Sequence, residues 1–585
     1  MGVETGHSLP AAAVDAQGDA GARPEVERSG AHRRRRWYDR LSRGPWLFAL
    51  LAALPALVTA GRLLVGLGGG RYLPYGDQAV LELRVRDVGV HPVLLGPYSR
   101  FDFYHPGPLG AYLLSVPYRL LGEAHESLAI GTLLIAALSL GGCAYIVRAR
   151  FGTAAGLWTI VVLVVTLRLM EAGFLRDSWN PYLPVLPLLL AVLLCWTALT
   201  GRPMALPIAV LLMSLAVQSH VGYLAPVGAT LGLTGLGLLV GWLRRRRSPG
   251  DPGGRRLLVA LGTTFVVTGL VWLPPLVQQL TGDRPNGSAL LHYLRTSQSD
   301  STVRLGVRAI ADELAKLPTY AVGVQPPHQV LLPLQEPLWA AVLAAGAFAL
   351  AVFVAWRQRR GDLLWLAALT VVLGLAGAAA VARVQGLPFP YVTAWTAVVG
   401  ALVWIFVGVT LLPVLAGFVT RARLTREVAR PVLTAAGVVG TVAALVAVVG
   451  LTAATVRAPT PQTDYSGNLT ALELAVRQDL AQRGLVGPDG RSAVRVDFAS
   501  TTRPVIVGTS FPGYGLVLAL VRDEVDVQLA PFWQGPIEQQ NVKQTDPARY
   551  VVTLAYADGS SPPPAAGQRV LAVAGEYQVY GGPSQ

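Results

Sequence analysis

The chain has little charge. Only 14% of its 585 residues are Asp, Glu, Lys or Arg against 52% apolar, and its mean hydropathy is +0.47; an ordinary soluble domain carries roughly 25% charge. Cysteine is nearly absent too. Cys143 and Cys195 both sit inside apolar runs, which excludes a disulfide framework and a cysteine-based zinc site. Lysine is reduced to Lys316 and Lys543 among 48 basic residues, a bias we attribute to base composition rather than to selection for bidentate contacts. Charge is missing above all from the middles of the apolar runs. A proton- or ion-coupled transporter needs intramembrane charges, each costing ~2.5–3.5 kcal/mol, or broken helices at the midplane, so that class is disfavoured.

What is present is a series of long apolar runs, so the bilayer is the main solvent and the chain reads as a polytopic α-helical membrane protein. The formal net charge of +14 could suggest nucleic acid, but the arginines cluster at the ends of the runs, where the positive-inside rule puts them. Residues 1–44 read as a disordered cytoplasmic tail ending in Arg33 to Arg36 and Arg40. A span from Trp46 to about Leu67 follows, then spans at 127–147, 153–170, 182–200, 204–219, 222–243, 256–276, 337–356, 363–383, 391–415 and 431–456, about 11 transmembrane helices in all. Leu109 to Leu121, broken by Pro117 and Arg119, is too short to cross and reads as a helix on the outer membrane surface. This count puts Arg148/Arg150, Arg202, Arg244 to Arg247, Arg357/Arg359/Arg360 and Arg421 to Arg430 on the side of the amino terminus.

The division that follows is a tail at 1–44, a transmembrane domain at 45–456 and a small extracytoplasmic α/β domain at 457–585. In the last, Ser466 can cap a helix with the stripe Leu469, Leu472, Val476 and Leu480, and strand-like runs lie at Val494–Phe498, Val525–Leu529, Tyr550–Tyr556 and Val570–Tyr580, with a helix near Tyr514–Arg522.

Polar residues gather on the outer face. A loop of about 40 residues after the first span runs from Pro74-Tyr75-Gly76-Asp77-Gln78 through Phe101-Asp102-Phe103-Tyr104-His105-Pro106-Gly107-Pro108. The next outer loops bring Arg176-Asp177-Ser178-Trp179-Asn180-Pro181 and Gln218-Ser219-His220, with Arg383 at a later helix end. Each has a plainer reading: a solvated loop acid, a turn entering the surface helix, a local ion pair and cap, interfacial aromatics or an interfacial histidine. Their shared face argues for a reaction between a lipid-anchored reactant and an external one.

These motifs, from Gly76-Asp77-Gln78 and Tyr104-His105-Pro106-Gly107-Pro108-Leu109 to Ser178-Trp179-Asn180-Pro181 and Gln218-Ser219-His220, resemble the GT-C superfamily of polytopic glycosyltransferases, in the branch of protein O-mannosyltransferases and lipid A aminoarabinose transferases. The resemblance spans residues 40 to 245. It implies a membrane-bound hexosyl or pentosyl transferase, such as a mannosyl- or arabinosyltransferase, moving a sugar from a polyprenyl-phosphate donor to a cell-envelope glycan, lipid or protein on the outer side, with inversion. It further implies Asp77 as general base, Arg176, His105, His220 and more weakly Arg383 at the lipid phosphate, and Asp102, Asp177 and Asn180 as substrate-binding or orienting groups. An acid often follows the first Asp in that pattern; Gln78 stands there, so no cofactor is specified, while a divalent metal remains open. The rival readings are a flippase or transporter of lipid-linked sugar, and an assembly partner in envelope-glycan export.

Overall fold

A computed structural model gives the fold and describes residues 44–67, 72–170, 173–245, 252–323, 332, 335–421, 426–462, 464–485, 494–503, 508–530, 535, 537 and 548–584. The expected tail up to Arg43, and with it Arg33 to Arg36 and Arg40, lies outside the described residues, as do Arg246, Arg247 and Arg423.

The first span, α1 (Pro45–Val65), leads to α2 (Gly76–Asp87), a hairpin of β1 (Tyr98–Ser99) and β2 (Phe103–Tyr104), and α3 (Leu109–Leu120). Then come α4 (Glu126–Phe151), α5 (Thr153–Leu169), α6 (Val185–Leu199), α7 (Leu206–Ser219), α8 (Leu224–Arg245) and α9 (Pro252–Thr281). Between the spans expected at 256–276 and 337–356 lie α10 (Asn286–Thr296) and α11 (Val303–Ala321), before α12 (Leu338–Arg357), α13 (Gly361–Val381), α14 (Ala397–Arg421) and α15 (Arg426–Arg457). Among the described residues, 8 helices are long and apolar enough to cross a membrane, which makes this a multi-pass membrane protein. The other three expected spans fall on shorter apolar helices, Thr153–Leu169, Val185–Leu199 and Pro203–Ser219.

The main finding against expectation is α2. Residues 76 to 87 were expected to be loop because their polar and apolar residues follow no amphipathic period. They form a helix buried on nearly every side. Ala79, Val80 and Leu83 enter the core of the carboxy-terminal sheet, and Val85 joins Leu109, Leu114, Tyr118 and Leu128 of α3 and α4. Gln78, Glu82, Arg84 and Asp87 are buried as well. Burying such groups is tolerable only when each is hydrogen-bonded or paired, and the partners come from distant parts of the chain.

The carboxy-terminal region holds α16 (Ser466–Gln482), β3 (Val494–Phe498), α17 (Ser510–Arg522), β4 (Val527–Leu529), β5 (Tyr550–Tyr556), β6 (Arg569–Ala574) and β7 (Tyr577–Pro583). Its sheet runs β4-β3-β5-β7-β6. β3 pairs in parallel with β4 and β5, while β7 pairs antiparallel with β5 and β6. The α17 crossover between β3 and β4 is what a parallel pair requires. The run read as one strand at Val570–Tyr580 turns instead at Gly575, whose φ of +59° favours glycine. Leu469, Leu472, Val476 and Leu480 form the buried stripe of α16. Ser466 begins that helix without capping it, and its Oγ accepts the Leu73 N–H at 3.1 Å.

Candidate active site

Asp77 lies in the first turn of α2, entered through Gly76 at φ +55°. A Cβ on Gly76 would also lie 2.3 Å from the Phe511 ring of α17, so both backbone and neighbour demand glycine. The Asp77 side chain meets solvent, but protein surrounds it elsewhere. Loss of hydration pushes its carboxyl up to about 6, against a hydrogen bond from the Trp179 side chain that draws it down. Tyr391, from the 3-10 turn Pro390–Thr396 before α14, and Tyr514, from α17, both feel the Asp77 charge. Trp179 and Tyr391 rings sit 4.5 Å apart, and Tyr391 stacks on Phe389 at 5.5 Å. Aromatics from three separate segments thus lie near the carboxyl, Trp179 hydrogen-bonded to it and Tyr391 and Tyr514 within range of its charge.

Gln78 joins α2 to the loop that carries Asp177 and Ser178. Its Nε2 donates to Asp177 Oδ1 at 2.6 Å and its Oε1 accepts from Ser178 Oγ at 2.7 Å. Asp177 Oδ1 also accepts the Trp179 backbone N–H at 2.9 Å, which fixes the indole beside Asp77. An acid at position 78 would meet Asp177 as a like charge; the amide makes two hydrogen bonds instead. No group of three or more His, Cys, Asp or Glu suited to a metal occurs among the described residues.

A second cluster centres on His105 and His220, whose rings are 4.5 Å apart. His105 Nδ1 accepts the Val221 N–H at 3.2 Å, and His220 Nδ1 accepts the Gly222 N–H at 3.1 Å. Both therefore carry their proton on Nε2. Burial, then the neighbouring His220 and Arg84, hold His105 well below its ordinary value, and burial brings His220 down to about 4. They are neutral donors at pH 7, not the cations expected from the resemblance. Gln218 ties this cluster to its surroundings: Oε1 accepts the Leu109 N–H at 3.2 Å and Nε2 donates to the Val271 carbonyl at 2.8 Å. Asn180 Nδ2 donates to the Ser219 carbonyl at 3.0 Å, linking the Trp179 loop to the histidines.

The remaining sequence candidates are placed differently. Arg176 is buried and donates to the Ala458 carbonyl, beyond the end of α15. Asp102 forms the β1–β2 turn at φ +60° and accepts the Tyr98 hydroxyl at 2.9 Å. Arg383 is exposed and donates to the Leu294 carbonyl at 3.3 Å.

An apolar groove of about 650 Å³ runs between α7, α8 and α9, lined by residues including Val217, Leu231, Gly235, Trp242, Leu261 and Trp272. Val217 and Trp272 adjoin in sequence the two residues of the Gln218–Val271 bond.

Sequence reasoning missed Tyr391, Tyr514 and the helical nature of α2, and gave Trp179 no role of its own beyond its place in the Ser178-Trp179-Asn180-Pro181 motif. Tyr514 lies more than 400 residues from Asp77, and no local pattern signals it.

No protein-family model and no curated protein matches the chain. Among solved structures it is similar to ArnT from Cupriavidus metallidurans in the apo state, at 15% identity over 91% of this chain and 97% of that one, with a TM-score of 0.48. It is likewise similar to ArnT from Cupriavidus metallidurans bound to undecaprenyl phosphate, at 16% identity over 91% and 97%, with a TM-score of 0.49. Arabinosyltransferase EmbB from Mycobacterium smegmatis matches at 15% identity over 78% of this chain and 45% of that one, with a TM-score of 0.31.

Proposed function

We propose that this chain is a polyprenyl-phosphate-sugar-dependent glycosyltransferase with an extracytoplasmic active site. On this reading residues 45–456 form the transmembrane catalytic domain of about 11 crossings, with 1–44 cytoplasmic and 457–585 outside. The observation that carries it is Asp77, a solvent-accessible carboxyl pushed up to about 6 with aromatics near it. A base with a pKa near the working pH is what acceptor deprotonation needs. The groove of about 650 Å³ supports the lipid half of the reading, because its lining is apolar and includes Val217, the neighbour in sequence of Gln218.

The acceptor hydroxyl oxygen attacks the anomeric carbon and its proton passes to Asp77. The bond from that carbon to the phosphate oxygen breaks on the opposite face, and its electron pair leaves with the polyprenyl phosphate, so the configuration inverts. The Nε2–H groups of His105 and His220 donate to the phosphate oxygens. Trp179 and Tyr391 face the sugar ring. Asp177 acts through Gln78 and Trp179, and Asn180 through Ser219, as positioning residues. Asp102, Arg176 and Arg383 shape the surrounding loops. The acceptor class is an envelope glycan, lipid or protein on the outer side.

Asp77 must be ionised to accept the proton, so the rate falls as pH drops through about 6. Asp77→Asn should lower sugar transfer from polyprenyl-phosphate donors by ~10²–10⁴-fold with the protein still folded. Full transfer by the folded variant would remove Asp77 from the role of base.

A further inference from the structure

The carboxy-terminal region does more than lie beside α2. Glu82, just over one turn beyond Asp77, is fully buried and receives Arg522 of α17 through two nitrogens, Nε at 2.8 Å and Nη2 at 2.7 Å. His125 Nδ1 at 2.8 Å and the Tyr118 hydroxyl at 2.9 Å complete its shell, and Arg522 Nη1 also holds the Tyr72 carbonyl at 2.7 Å. At the other end of α17, Phe511 packs on Gly76, and a Cβ on Gly515 would lie 2.7 Å from the Pro74 carbonyl. Gln462 Oε1 accepts the Gln78 N–H at 3.1 Å. One helix of the carboxy-terminal region therefore grips the Asp77 segment at both ends.

We propose that Arg522 is a positioning residue for Asp77: its two-pronged bond to Glu82 seats α17 on α2, so that Phe511 and Tyr514 close one side of the Asp77 site. The active site is complete only with the carboxy-terminal region docked. This rests on the reading of Asp77 as the base. The groups facing Asp77 are Tyr514 from α17, Trp179 from the loop before α6 and Tyr391 from the turn before α14, with Arg100 of the β1–β2 hairpin beyond Tyr391. Asp177, held by Gln78 Nε2 and the Trp179 N–H, keeps these partners when α17 loosens, so water admitted there is the change that alters the Asp77 titration.

The test follows Asp77 directly in the full chain in lipid nanodiscs. Dicyclohexylcarbodiimide reacts with protonated carboxyls, and labelling of Asp77 read by mass spectrometry from pH 4 to 8 gives its midpoint, with Asp77→Asn as the blank. The wild-type midpoint is expected near 6. In Arg522→Lys, which keeps the charge and loses the fork, and in Phe511→Ala, which keeps the ion pair, it should move toward about 4, the ordinary carboxylate value. Global destabilisation alone would reduce the folded fraction without moving the midpoint of the folded protein. A midpoint that stays near 6 in both folded variants, or that lies near 4 already in the wild type, overturns the inference. Retained transfer by Asp77→Asn would instead sink the base assignment and leave the docking result readable.

Discussion

Gln78 shows how one side chain decides the character of a site. Where a second acid would stand next to Asp77, an amide donates to Asp177 and accepts from Ser178, so α2 and the loop that carries them are joined without a like-charge contact. Gln78→Glu would set two carboxylates against each other at a spacing now 2.6 Å. The new acid would have its pKa raised in the fold by the neighbouring charge and by burial. Its protonated form could still donate to Asp177, so the native contribution survives at low pH and is lost as pH rises through the raised value. We expect a loss of about 1–3 kcal/mol at pH 8 that narrows at pH 5, measured by thermal unfolding in detergent. Equal melting of variant and wild type at pH 8 would contradict the role given to this contact.

At the scale of elements, α2 is held by polar pairs as much as by apolar burial. Burial alone would raise the Glu82 carboxyl, but the hydrogen bond from His125 and the charge and hydrogen bonds of Arg522 outweigh it and hold it below its usual range. That contribution is present above the ordinary carboxylate pKa and fades as pH falls through the lowered one. Arg522→Ala leaves a buried carboxylate short of its main cation and should cost about 3–5 kcal/mol, seen as early proteolysis of the region after residue 457 in a pulse experiment. Unchanged cleavage would mean that the apolar contacts of Ala79, Val80 and Leu83 hold the two parts together unaided. Element boundaries within apolar runs were legible because hydropathy and length mark them directly. The helical character of α2 was not, because its buried polar residues erase the period that distinguishes a helix face. α11 differs: Asp312 and Glu313 are buried against Arg308 and Lys316, yet Val303, Val307, Ile310, Leu314 and Leu317 keep a plain helical period.

At the scale of the whole molecule, two features are available to a lipid-linked donor, the groove between α7, α8 and α9 and the site around Asp77. A lipid-linked donor would occupy the first with its chain and the second with its sugar. Gly235 lines the groove, and a Cβ there meets nothing within 4 Å, so a larger side chain can enter without disturbing the fold. Gly235→Phe should raise KM for a long-chain polyprenyl-phosphate donor by roughly tenfold, which corresponds to ~1.4 kcal/mol. It should leave a short-chain analogue unaffected, as measured by initial rates with the two donors. Equal effects on both would place the lipid chain elsewhere.

The sequence by itself determined the solvent of this protein, the order of its apolar helices, most strands of its carboxy-terminal region and the loops that carry Asp177 and His220. Those follow from composition and short-range periodicity, which each segment expresses alone. Only the tertiary structure decided that residues 76 to 87 are helical, that His105 and His220 are neutral, that Arg176 is taken up by the Ala458 carbonyl, and that Tyr391 and Tyr514 come within range of the Asp77 charge. Each depends on desolvation or on a partner hundreds of residues away, and a buried charge has no stable state until that partner arrives.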